Sequence, residues 1–205
     1  MLLAIVLVAF AGSVPVIRGA ILRTVGRALV VDEPVAPADV IVIPLWAGAA
    51  GAIDAADLVH SRIADRVAIL TEPPRPAEQE LSRRGVSYQD ETADLVQVLH
   101  ALGVTNVEVI PDPAAGTHEE SHVLLSWCDQ RQFRSIVVVS APDHSRRLRR
   151  VLHRSLLGHP TRVVVRSARY SSFDPNRWWQ TREGIRIEIM ELQKLLLDVV
   201  RHPIS

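Results

Sequence analysis

A parallel α/β domain is the fold this sequence predicts. Short apolar runs rich in β-branched residues recur along it, and segments with helical spacing separate them. One run, Ile136-Val-Val-Val139, passes directly into a turn with helix-start chemistry, Ser140-Ala-Pro-Asp143. Runs that are apolar throughout suit strands buried on both faces. Their alternation with helices implies a parallel sheet with helices on either side. The strands read as Val40–Ile43, Arg66–Leu70, Val107–Ile110, Ser135–Val139 and Arg162–Val165, about five in all. The spacing predicts helices over Ala50–Arg62, Gln79–Arg84, Asp90–Leu102, Thr117–Gln130, His144–Leu157 and Thr181–Val200. In the last, Ile185, Ile189, Leu192, Leu196 and Val199 hold helical spacing.

The start of the chain differs from the rest. Met1 to Ile17 carries no charged side chain and is mostly Leu, Val, Ala and Ile. Extended to Leu22, a helix there would reach roughly the 30 Å of a bilayer core, with Arg18 snorkelling. Residues 1–22 are therefore expected to be one N-terminal apolar helix that anchors the chain in membrane lipid. Residues 23–37, with Pro34 and Pro37 beside Asp32 and Glu33, read as a linker, and 38–205 as the domain. A cleaved signal peptide and a buried helix are the competing readings of residues 1–22. Arg18, Arg23 and Arg27 after the apolar run would place the domain in the cytoplasm by the positive-inside rule.

With 205 residues and 48% hydrophobic content, the chain is long enough for one full core. Its 23 basic and 23 acidic residues cancel, so no global charge favours nucleic acid. The lone cysteine, Cys128, excludes an internal disulfide and has the setting of a buried helix position.

Ligands of open α/β sheets collect outside the carboxyl ends of the strands. A helix start there presents free N–H groups and a partial positive charge. His144 and Arg147, just after the Ser140 turn, are thus candidates for an anionic ligand: His144 as acid and base, Arg147 as clamp. Asp143 capping its helix, and the arginines of 146–154 as a solvated face, are the plain alternative. Thr117 and Glu120 form a capping-box pattern. The same stretch spells His118-Glu119-x-x-His122, a zinc-hydrolase pattern that lacks a recognisable third ligand, and no metal is assigned. Trp178 and Trp179 are expected to pack the last helix onto the sheet edge. Glu188, Glu191 and Lys194 are expected to pair on its surface. Glycine-rich phosphate loops and a serine nucleophile elbow are missing.

The order of these features resembles a family. Asp39-Val-Ile-Val-Ile follows the linker; then come Gly116-Thr117-x-Glu119, Val-Val-Val-Ser140-Ala-Pro-Asp-His144-Ser-Arg-Arg147, and Glu191-x-x-Lys194. Over roughly residues 28–200 this is similar to the YdcF/SanA/ElyC-like family of bacterial envelope-associated proteins. The resemblance implies a Rossmann-like three-layer domain behind one membrane span, usually extracytoplasmic, linked to peptidoglycan or lipid-carrier metabolism. It implies His144 and Glu119 as catalytic, and Asp39, Thr117, Ser140 and Arg147 as ligand-binding. The ligand expected is an anionic small molecule or lipid-linked phosphate; the cofactor is left open. The chain departs from the family where Leu45-Trp46 and Thr71-Glu72-Pro73 replace glycine pairs. A non-catalytic envelope factor is the alternative those departures support.

Overall fold

The structure is a computed structural model that describes residues 15–87, 90–111 and 116–203. Five strands form one sheet in the order β3-β2-β1-β4-β5. They are β1 (Val40–Pro44), β2 (Val67–Leu70), β3 (Val107–Ile110), β4 (Ser135–Ser140) and β5 (Arg162–Ser167). Every neighbouring pair is parallel. The helices are α1 (Pro15–Arg27), α2 (Gly48–His60), α3 (Pro76–Arg83), α4 (Glu91–Ala101), α5 (Thr117–Arg131), α6 (Pro142–Ser155) and α7 (Arg182–Arg201). The Rossmann-like α/β class expected from the sequence is therefore present.

Side chains alternate across a strand, and the sheet sorts them accordingly. Ile41, Ile43, Val67, Ile69, Val137 and Val139 meet α2 and α4 on one face. Val40, Val42, Ala68, Ile136 and Val138 meet Leu124 and Cys128 of α5 and Leu148 and Leu152 of α6 on the other. This is why the runs carry no polar alternation. Burial pushes the Cys128 thiol up to about 12, with the charges of Asp129 and Asp39 adding to it, so it is a packing residue. The chain lays β1, β2 and β3 outward in one direction, then returns to place β4 beside β1. The carboxyl ends of β1 and β4 thus flank the switch point, where such sheets open a crevice.

The last helix adds an outer layer. α7 packs over α6, and Leu195 joins Leu29 and Phe173 in a small separate core. Of residues 23–37, read as a linker, 23–27 close helix α1 and 28–37 are fastened to the domain. Leu29 is buried, and the Val31 N–H donates to Ser145 Oγ at 2.8 Å. The Glu33 N–H donates to the Val165 carbonyl at 3.0 Å, and its carboxylate accepts from the Val165 N–H at 2.8 Å. That strap occupies the open edge of β5, the place where an unpaired strand invites aggregation.

The arginines of α6 are fasteners more than a solvated face. Arg146 donates to the carbonyls of Ala28 and Val30, Arg149 pairs with Glu33, and Arg150 and Arg154 both grip Asp198 of α7. Trp178 holds α1, not the sheet edge: its indole N–H donates to the Leu22 carbonyl at 2.8 Å. A Cβ on Gly26 would fall 2.2 Å from the Pro175 carbonyl oxygen, so glycine lets α1 seat here. Among the described residues no helix is long and apolar enough to cross a membrane. Residues 1–14, most of the expected apolar anchor, lie outside the described residues.

Candidate functional site

The sequence-predicted residues separate into two groups. Thr117, His144 and Arg147 converge at the carboxyl ends of the strands. Thr117 opens α5, and His144 and Arg147 stand one turn apart on α6, which starts as soon as β4 ends. Arg147 Nη1 donates to Thr117 Oγ1 at 2.8 Å, and its Nη2 lies 2.8 Å and 3.1 Å from the two ring nitrogens of His144. His144 Nε2 is 3.3 Å from Thr117 Oγ1. The Thr117 hydroxyl is therefore not spent on a capping box. Gly116, at φ 127°, is the N-cap and makes no side-chain cap bond, which leaves the hydroxyl free to face His144.

The other candidates lie elsewhere. Asp39 sits at the amino ends of the strands, away from this cleft. Its carboxylate accepts from the backbone N–H groups of Arg134 and Ser135 at 2.7 Å and 2.8 Å. Burial alone would raise its pKa, but those hydrogen bonds outweigh it and hold the group below its ordinary value. Asp39→Ala is expected to cost about 2 kcal/mol of stability and to leave phosphate affinity unchanged, read by chemical denaturation and calorimetry. Ser140 is fully buried, and its hydroxyl donates to the Ala141 carbonyl at 3.0 Å, holding the turn. Glu119 is exposed and lines an adjoining groove with His118 and His122 rather than the His144 cleft.

Sequence reasoning missed several members of the site or set them aside. Trp46, in the turn after β1, lies against His144 with ring centroids 4.3 Å apart. Its position at the switch point was the available signal. Glu191 of α7 was expected on the surface; it is buried and joins the cluster. Glu191 Oε2 lies 3.2 Å from Arg147 Nε and 3.3 Å from His144 Nδ1, and Oε1 accepts from Lys194 Nζ at 2.6 Å. Glu188, also expected on the surface, is fully buried. Neither of its oxygens meets a hydrogen-bond partner among the described residues.

The electrostatics assign protonation states. Burial lowers the pKa of His144, and the Arg147 charge adds to this against the pull of Glu191. The imidazole is neutral at pH 7. In the tautomer that turns Nδ1–H to Glu191 rather than leaving Nδ1 to accept from Arg147, Nε2 is a base facing Thr117. Burial alone would raise Glu191, but hydrogen bonds from His144 and Lys194 and the Arg147 charge bring it down to about 2. Burial raises Asp143, and Glu191 reinforces that. Burial pushes Glu188 up to about 7, helped by the charge of Asp143.

Beside these groups is a cleft of about 390 Å³, walled by Trp46, Glu72, Thr117, Asp143, His144 and Lys194. It adjoins a groove of about 650 Å³ between α5 and α7 that also reaches Thr117 and Lys194 and carries Arg147, Arg154 and Arg201. Glu72 and Glu120 stand on the cleft wall, while Lys194 is shared with the groove that carries Arg147. His118 and His122 touch, Nε2 to Nε2, at 3.4 Å. Among the described residues no group of three His, Cys, Asp or Glu side chains is placed to hold a metal.

The fold and cleft define a Rossmann-like α/β domain with a polar site at its switch point. Compared with models of known families, the chain matches none; compared with curated proteins, it matches none either.

Proposed function

We propose that this is a membrane-anchored, YdcF/SanA/ElyC-like domain that binds, and through His144 acts on, a phosphate-bearing anionic ligand of the cell envelope. The ligand is a small molecule or a lipid-linked phosphate. The observation that carries this reading is the convergence of Thr117, His144 and Arg147 on one open cleft, backed by Glu191 and Lys194. Arg147 offers a planar guanidinium to phosphate oxygens. His144 supplies a neutral imidazole for proton transfer. The basic groove between α5 and α7 gives room for the rest of the ligand. The apolar residues 1–22 would hold the domain at a membrane, where lipid-linked substrates lie; the family resemblance favours its extracytoplasmic side.

A purely structural envelope factor would have a filled interior around His144, and the open cleft of about 390 Å³ favours a ligand instead. Calorimetric titration with inorganic phosphate tests the reading. Arg147→Ala should weaken binding at least tenfold, about 1.4 kcal/mol, while the far-ultraviolet circular dichroism stays that of the folded protein. Equal affinity in the variant would remove Arg147 as the clamp and with it the reading.

A further inference from the structure

Thr117 does more in this geometry than orient a ligand. Its Oγ1 is 3.3 Å from His144 Nε2, and His144 Nδ1 is 3.3 Å from Glu191 Oε2. A hydroxyl, an imidazole that faces it and a carboxylate on the far ring nitrogen form the arrangement of an activated nucleophile, its base and the group that orients the base. Such distances shorten when substrate binds. We propose that Thr117 is the nucleophile of a Thr117–His144–Glu191 triad that transfers a phosphoryl group through a covalent Thr117 intermediate.

Four features of the site agree. Arg147 Nη1 donates to the same hydroxyl at 2.8 Å and so favours its alkoxide. The hydroxyl heads α5, at the helix end whose partial positive charge favours developing negative charge. Thr117 is also shared by the cleft and the groove, so one side can hold the phosphoryl group and the other the leaving group. Glu191 is buried and ionised, as the orienting carboxylate of a triad must be.

The step balances. Oγ1 of Thr117 attacks the phosphorus of a phosphoester, forming the Oγ1–P bond and breaking the bond from phosphorus to the leaving oxygen. The hydroxyl proton passes to His144 Nε2 and from there to the departing alkoxide. Water, deprotonated by His144, then attacks phosphorus; the Oγ1–P bond breaks and the proton returns to Thr117.

This inference rests on the anion-site reading, and the experiment separates the two. The full chain is treated with an alkyl fluorophosphonate, which phosphonylates activated hydroxyls with loss of fluoride, and the adduct is located by mass spectrometry. Labelling should fall on Thr117, persist in Thr117→Ser, and vanish in Thr117→Val. It should slow at least tenfold in His144→Ala. In the wild type the rate should rise with pH and level off below the ordinary titration of histidine, because His144 is neutral early. A wild type that binds inorganic phosphate but takes no label on Thr117, even as Thr117→Ser, overturns the triad and leaves the anion site standing. Neither label nor phosphate binding overturns both. A label on another residue overturns the triad alone.

Discussion

Glu191→Gln is expected to destabilise the protein by roughly 3 kcal/mol at pH 7, and by well under about 1 kcal/mol near pH 2. The buried carboxylate titrates at about 2 in the folded protein against 4.5 for a free glutamate, and each unit is worth about 1.4 kcal/mol. A depressed acid contributes stability above its unfolded pKa and loses it as pH falls through the folded one. The gap between wild type and variant should therefore be full above about pH 5 and close between 4.5 and 2. Little solvent screens the group, since only 9% of its side chain is exposed. The variant would also strand Arg147, Lys194 and His144 without their shared acceptor. For a domain of this size the expected fall in Tm is roughly 6–12 °C. Thermal unfolding at pH 7 and pH 2.5 checks it; an equal loss at both would show that the carboxylate charge is not what Glu191 contributes.

Glu188→Gln, one turn earlier on the same helix, is expected to do the opposite. Glu188 is fully buried without a hydrogen-bond partner among the described residues, and its pKa stands at about 7. An acid whose pKa is raised on folding binds its proton more tightly in the native state. Wild-type stability then falls as pH rises from 4.5 to about 7 and stays low above that. The amide cannot ionise, so the variant should match the wild type near pH 4 and exceed it by up to roughly 3 kcal/mol at pH 8. Parallel denaturation curves at the two pH values decide the matter; a variant no more stable at pH 8 would mean that Glu188 is ionised and paired after all. Glu188 is thus a stability liability set beside Asp143.

The two glutamates also show where sequence reading stops. Glu188, Glu191 and Lys194 are three apart, and spacing alone describes a surface ion-pair ladder. What buries the glutamates is the seat of α7 on α6, and α7 is in turn tied down where its Leu195 packs with Leu29 and Phe173 from distant parts of the chain. The same holds for Arg146, Arg149, Arg150 and Arg154. Their acceptors are Ala28, Val30, Glu33 and Asp198, and nothing local to the helix names them.

Much of the rest was legible. All five strands were placed within two residues of their observed ends: in β1, β2 and β4 burial on both faces imposes a continuous apolar run, and the half-exposed edge strands β3 and β5 remained visible through their β-branched residues. His144, Arg147 and Thr117 were legible as neighbours, because strand ends in a parallel sheet share one rim. Asp39 matches the same motif set yet stands at the opposite rim, a matter of strand direction that its bonds to Arg134 and Ser135 make plain. Periodicity and strand polarity are local properties of the chain, and they alone fix the layering of this protein and the rim that holds the candidate site. Which side chains complete the candidate site is set by long-range packing. Trp46 and Glu191 reach His144 from segments about 100 and 50 residues away in the chain, and long-range packing, not spacing, sets that approach.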